Sequence, residues 1–245
     1  MARFRSDWKM TTFVVLMLPV VVALGFWQLE RADYKRGLED AYFDQLGSLA
    51  VPLPTEQPDD FSRVKVAGHY RDPHYLLDNQ IKDGKPGYWV LTPFETTTAG
   101  VVLVNRGWVA QGATRADLPE LPPTPIGETM LEAMVWPDTG LLPLFGADPL
   151  ERLTPPWVRL QRLDWELLVP LYKSHVEQHI EQRPGRQSAL RAVELRLEAG
   201  QPGVLKPAPQ TIQFGIARHV GYAVQWFGLA IALVICFIVY GRRRT

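Results

Sequence analysis

Two long apolar runs stand at opposite ends of the chain. Residues 11–29 read TTFVVLMLPVVVALGFWQL and residues 220–240 read VGYAVQWFGLAIALVICFIVY, and neither run contains a charged side chain. At about 1.5 Å of rise per residue, each is long enough to cross a hydrocarbon layer about 30 Å thick. A helix buried in a soluble protein carries a polar stripe, and these do not. The pattern predicts two transmembrane helices, at 11–29 and 219–240. Pro19 sits inside the first, where it can kink the helix. A cleaved signal peptide is the alternative for the first run. Its apolar stretch exceeds a signal core, and Trp27-Gln28-Leu29 makes a poor cleavage site, so an uncleaved anchor is expected.

Between the runs the pattern changes to short alternating or β-branched segments punctuated by Gly and Pro. FSRVKVAGHY (61–70), HYLLDN (74–79), GYWVLTPFE (87–95), VVLVNRGWVA (101–110), GETMLEAMVW (127–136), PWVRLQ (156–161) and QSALRAVELRLE (187–198) read as strands. TTTAG (96–100) reads as a hairpin turn, and VNRGW as a strand with a tight turn at Gly107. Arg106 is expected either buried and paired or reaching a partner. An antiparallel sheet or small barrel follows. Residues 30–46 read as an outward continuation of the first helix. DWELLVPLY (164–172) reads as a helix capped by Asp164 and broken at Pro170. LPELPPTPIG (118–127) and QPGVLKPAPQ (201–210) are extended connectors. The expected fold is α+β: two membrane helices flanking an antiparallel, barrel-like β-rich domain over residues 30–218.

Charge fixes an orientation. The chain carries 26 basic and 26 acidic side chains. Arg3, Arg5 and Lys9 precede the first run, and Arg242, Arg243 and Arg244 follow the last; without these six and Asp7, 20 basic and 25 acidic residues remain. Basic tails belong on the cytoplasmic side. Both termini (1–10 and 241–245) are therefore expected inside, with 30–218 outside. A bacterial inner membrane, with a periplasmic domain, fits the absence of an Arg- and Ser-rich leader. The balanced charge argues against nucleic acid as a partner. Cys236 is the single cysteine, which excludes an intramolecular disulfide and a multi-cysteine metal site.

Candidate chemistry is sparse. His175 and His179 stand four apart and would share a helix face suited to zinc or copper, or simply lie on a solvated segment. His69 and His74 flank a turn and read as surface or turn residues. Asp59-Asp60 and Glu151-Arg152 read as ordinary loop charges. No nucleophile elbow, phosphate loop or two-cysteine redox motif occurs, which speaks against a membrane-anchored enzyme. His219 opens the second span, and on a helix His219, Tyr222, Ala223 and Trp226 share one face. One imidazole backed by two aromatics suits axial ligation of haem iron; the same residues equally suit an interfacial aromatic belt. Gln28 and Gln225 are uncharged polar groups near the outer ends of the two spans, placed to pair across an antiparallel hairpin or to be solvated at the interface.

The ordered set LGFWQLERADYK (24–35), Gly68 and Tyr70 on an early strand, GYWVLTPF (87–94), VVLVNRGWV (101–109) and RHVGYAVQWFGLA (218–230) resembles the surfeit locus protein 1 family along the whole chain. The resemblance implies a non-enzymatic assembly factor of haem-copper cytochrome c oxidase. Such a protein assists haem a delivery or insertion into the largest oxidase subunit, or stabilises that subunit's early intermediate. Its partners would be that subunit, other oxidase assembly factors, the haem a synthesis machinery and the lipid bilayer. It also implies His219 as haem ligand. Ala217-Arg218 stand where the family often has Asn or Glu, and Arg218 suits a propionate. Trp27, Gln28 and Arg31 would then face His219 and hold the porphyrin edge, together with Tyr222 and Trp226, or would dock the oxidase subunit, or serve as anchor and exposed charges. A chaperone that grips oxidase intermediates without touching haem is the competing expectation.

Overall fold

The structure is a computed structural model that describes residues 8–138, 150–178, 189–207 and 215–243. Contacts group the chain into two units, residues 1–43 with 211–245, and residues 44–210.

The first unit holds the two long helices. α1 (Trp8–Leu46) runs without interruption through Pro19 and continues well beyond the apolar run, as the sequence indicates. α3 (Ile216–Arg243) carries the second run. Each contains a window apolar enough to cross a membrane, and only 11% of that window is buried within the protein. Phe13, Leu16, Val20, Leu229, Ile231 and Ile235 all point outward. Apolar side chains turned outward along two such helices need a hydrocarbon solvent; this is a membrane protein.

The second unit is a closed five-stranded barrel with additions. The ring runs β2 (Arg63–Tyr70), β6 (Thr129–Trp136), β9 (Leu190–Leu197), β5 (Val101–Ala110), β4 (Lys85–Thr96) and back to β2. Gly68 is the corner that closes it, pairing with Thr129 of β6 and with Thr96 of β4. A Cβ there would stand 2.1 Å from the Glu95 carbonyl oxygen, so only glycine lets β4 approach. The barrel interior is filled by Val64, Val66, Phe94, Val102, Val104, Leu131, Val135, Val193 and Leu195.

Outside the ring, β3 (His74–Lys82) pairs with β4 and extends to β8 (Trp157–Leu160) and β7 (Leu150–Arg152), while β1 (Val51–Pro52) lies along β2. α2 (Trp165–Gln178) covers the outer face, packing Leu168 and Tyr172 onto Tyr75, Leu91, Val101, Leu103 and Leu190. Strand β5 is thus apolar on both faces, Val102 and Val104 inward and Val101 and Leu103 under the helix. That is why it reads as a continuous run rather than an alternation.

Three details depart from the sequence reading. The sheet is not wholly antiparallel: β9 runs parallel to β5, β8 to β3 and β1 to β2. Pro170 does not break α2, which continues to Gln178. Burial of Leu168 and Tyr172 on either side of Pro170 outweighs the one backbone bond it removes. Glu151 is not a loop charge; it lies on β7 and accepts a 2.8 Å hydrogen bond from the fully buried Arg159. Asp164 does cap α2, its Oδ1 accepting from the Leu167 amide at 3.3 Å. His179 and residues 187–188 lie outside the described residues.

Candidate functional site on the helix pair

α1 and α3 pack as an antiparallel pair along a narrow seam. On α1 the buried positions Gly25, Gln28 and Ala32 recur at helical spacing, and on α3 Ala223 and Ala230 do the same. The small residues allow close approach. A Cβ on Gly25 would stand 2.7 Å from the Phe227 ring, which therefore sits directly on the α1 backbone. Phe26 meets the same ring edge-to-face at 5.3 Å.

A polar contact in this seam lies a turn beyond that aromatic contact. His219 Nδ1 and Gln28 Oε1 are 2.9 Å apart. Gln28 is 9% exposed, the only buried amide or ionisable-acid or -base side chain on α1 or α3 among the described residues. A buried amide in an apolar seam is costly unless it is bonded, and an interhelical hydrogen bond of this kind contributes about 1 kcal/mol. With the Gln28 oxygen facing it, Nδ1 makes a hydrogen bond there only in the tautomer that carries its proton on Nδ1. Among the described residues His219 Nε2 has no hydrogen-bond partner. Below His219 on the same face come Ala223, fully buried, and Trp226, half-buried, with Tyr222 at the edge, 44% exposed.

The remaining residues singled out in the sequence are placed differently. Trp27 is 51% exposed and lies off the Gly25–Gln28–Ala32 stripe. Arg31 is exposed and its guanidinium stacks over Tyr34 at 5.6 Å, with Lys35 on the same ring at 5.8 Å. Arg218 is exposed. Gln225 is exposed and does not pair with Gln28, whose partner is His219. Of the α1 cluster, the structure brings only Gln28 to the histidine.

Sequence reading missed a strap on the barrel. Residues 201–207, read as a connector, are fastened along β5: Leu205 N–H donates to Arg106 O at 2.7 Å and Trp108 N–H to Lys206 O at 2.6 Å. Arg106, 1% exposed, has no carboxylate partner among the described residues; Nε donates to Gly203 O at 2.7 Å and an Nη to Pro122 O at 3.1 Å, and the guanidinium lies over the Tyr70 ring. Burial lowers the Arg106 pKa from its ordinary value. Tyr70 donates to Pro202 O at 2.8 Å, and burial pushes its phenol up to about 12. Gly107, at φ +115°, makes the bulge that admits the strap. NRGW was the visible signal, but its partner segment could not be read from it.

A model of the SURF1 family matches residues 15–231, most of both helices and the whole barrel unit. The chain belongs to the SURF1 family. Among SURF1 relatives, a SURF1-like protein of Rickettsia felis is 25% identical over 245 residues, covering 96% of this chain and 97% of its own. Surfeit locus protein 1 of Homo sapiens is 32% identical over 126 residues, 42% of each chain. The Cytochrome oxidase assembly protein SHY1 of Saccharomyces cerevisiae is 28% identical over 118 residues, 44% of this chain and 30% of its own. The SURF1 match takes in Gln28, Gly68, Arg106, Gly107 and His219, so the helix pair and the strapped barrel both fall within the family region.

Proposed function

We propose that this protein is an assembly factor for haem-copper cytochrome c oxidase in a bacterial inner membrane, with both termini cytoplasmic and the barrel unit periplasmic. Family membership and the name of the yeast relative support the assembly role. The observation that carries the site is the Gln28–His219 pair in the helix seam. The site would hold haem a while the largest oxidase subunit is built.

The residues present fit such a group. A porphyrin iron needs one protein donor, and His219 offers an imidazole nitrogen with no other partner among the described residues. Bound haem a would supply a flat apolar macrocycle with two propionates. His219 would donate an imidazole lone pair to the iron, and Tyr222 and Trp226 would line the apolar side. Arg218, exposed beside His219, suits a carboxylate. No enzymatic step is proposed.

The exposed row on α1 favours a second reading. Trp27, Arg31 and Tyr34 lie off the buried stripe and combine aromatic and basic groups, the composition of a protein-docking face. On that reading the helix grips an oxidase intermediate and haem never binds.

A visible spectrum of the detergent-purified protein, co-expressed with haem a synthesis, separates them. The haem reading expects about one haem a per chain, lost in His219→Ala with the barrel still folded. No haem a under those conditions refutes it and leaves the docking reading, which expects crosslinking of α1 to the largest oxidase subunit.

A further inference from the structure

We infer that Gln28 is a positioning residue that holds His219 in its Nδ1–H tautomer, so that the Nε2 lone pair is the one presented to an electrophile outside the seam. An uncharged imidazole has one N–H and one lone pair, and whichever nitrogen donates a hydrogen bond decides where the lone pair lies. Free histidine in water favours the proton on Nε2, which would leave the wrong nitrogen facing outward. Gln28 Oε1, 2.9 Å from Nδ1, reverses that preference. The amide is 9% exposed and sits on the buried stripe between Gly25 and Ala32, so its oxygen cannot exchange His219 for water without opening the helix pair.

The same contact fixes the ring. Gln28 approaches from α1 while the His219 backbone belongs to α3, so the imidazole is held from two helices. The close seat of Phe227 on Gly25 sets the spacing between them. Metal-bound histidines generally donate their second N–H to a carbonyl or carboxylate, and losing that partner costs about 10–100-fold in affinity. The Gln28–His219 geometry is that arrangement, with no partner on Nε2 among the described residues. The consequence for haem a rests on the function proposed above, whereas the tautomer itself does not.

Two measurements keep the claims apart. The first is ¹⁵N NMR of histidine-labelled, haem-free protein in detergent, with His219→Ala used to assign the ring signals. Wild type is expected to show a protonated Nδ1 and an unprotonated Nε2 at His219. Gln28→Leu is expected to move the proton to Nε2, and Gln28→Glu, which keeps an acceptor at the same reach, to restore the wild-type pattern. A protonated Nε2 in wild type would mean that the Gln28 amide donates rather than accepts, and the inference falls. An unchanged tautomer in Gln28→Leu also overturns it.

The second measurement is titration of haem a into the same four proteins. Gln28→Leu is expected to weaken binding about 10–100-fold and Gln28→Glu to rescue it. Binding lost in His219→Ala but unchanged in Gln28→Leu would leave the haem reading standing and remove the positioning role. No binding by wild type, with the tautomer shift intact, would remove the haem reading and leave the tautomer assignment.

Discussion

At the scale of single residues, Gly107, Arg106 and His74 each carry a measurable consequence. Gly107 combines a φ of +115° with a backbone neighbour: a Cβ there would stand 2.3 Å from the Lys206 carbonyl oxygen. Gly107→Val should destabilise the barrel by at least about 2 kcal/mol, seen as a lowered thermal midpoint; an unchanged midpoint refutes the bulge geometry. Arg106→Met removes the donors to Gly203 and Pro122 and should cost about 2–4 kcal/mol in denaturant unfolding. A change below about 0.5 kcal/mol would show that Arg106 does not hold the strap. Burial lowers the His74 pKa below its ordinary 6.5, Asp72 partly opposing and Arg106 adding to the effect. The unfolded chain therefore binds this proton more readily than the folded one. Stability from His74 is full above about pH 6.5 and is lost as the pH falls toward the lower folded value. His74→Asn should flatten the stability curve in that window, and an equally steep acid loss in the variant would contradict the assignment.

At the scale of elements, the two spans and seven of the strands could be read from pattern, because both depend on local periodicity. An uncharged run of about twenty residues has few soluble uses, and alternation marks a strand with one face in a core. The pairing of elements was not readable in the same way. β9 runs parallel to β5 although they are 89 residues apart at Asn105 and Glu194, which share a 2.9 Å side-chain hydrogen bond. Nothing in QSALRAVELRLE specifies that direction. The strap over 201–207 was invisible for a related reason: its backbone bonds go to β5, and a Pro- and Gly-rich sequence alone looks free. Amide hydrogen exchange tests it. The Leu205 and Trp108 amides should exchange as slowly as those of the barrel strands. Exchange at the rate of an open turn such as Asp83-Gly84 would contradict a fixed strap.

At the scale of the whole molecule, the candidate site was half legible. Gln28 and His219 both stood out as polar groups near the ends of apolar runs and were expected to face one another across a bound group, yet their direct hydrogen bond was not evident. Helix rotation and stagger, set by Gly25 against Phe227, decide which polar residue meets which. The same rotation turns Trp27 and Arg31 away, although sequence spacing alone allowed them to join the histidine. The molecule thus joins a barrel whose sequence serves closure and the fastening of its own connector to a helix pair with a buried Gln28–His219 contact, in which His219 Nε2 has no hydrogen-bond partner among the described residues.

The most direct measurement of the central claim, a role in building cytochrome c oxidase, is the haem a content and oxidase activity of membranes from cells lacking this chain. The account predicts both reduced together, restored by the wild-type chain and not by His219→Ala. Membranes with normal haem a and normal oxidase activity in the absence of the chain would contradict it.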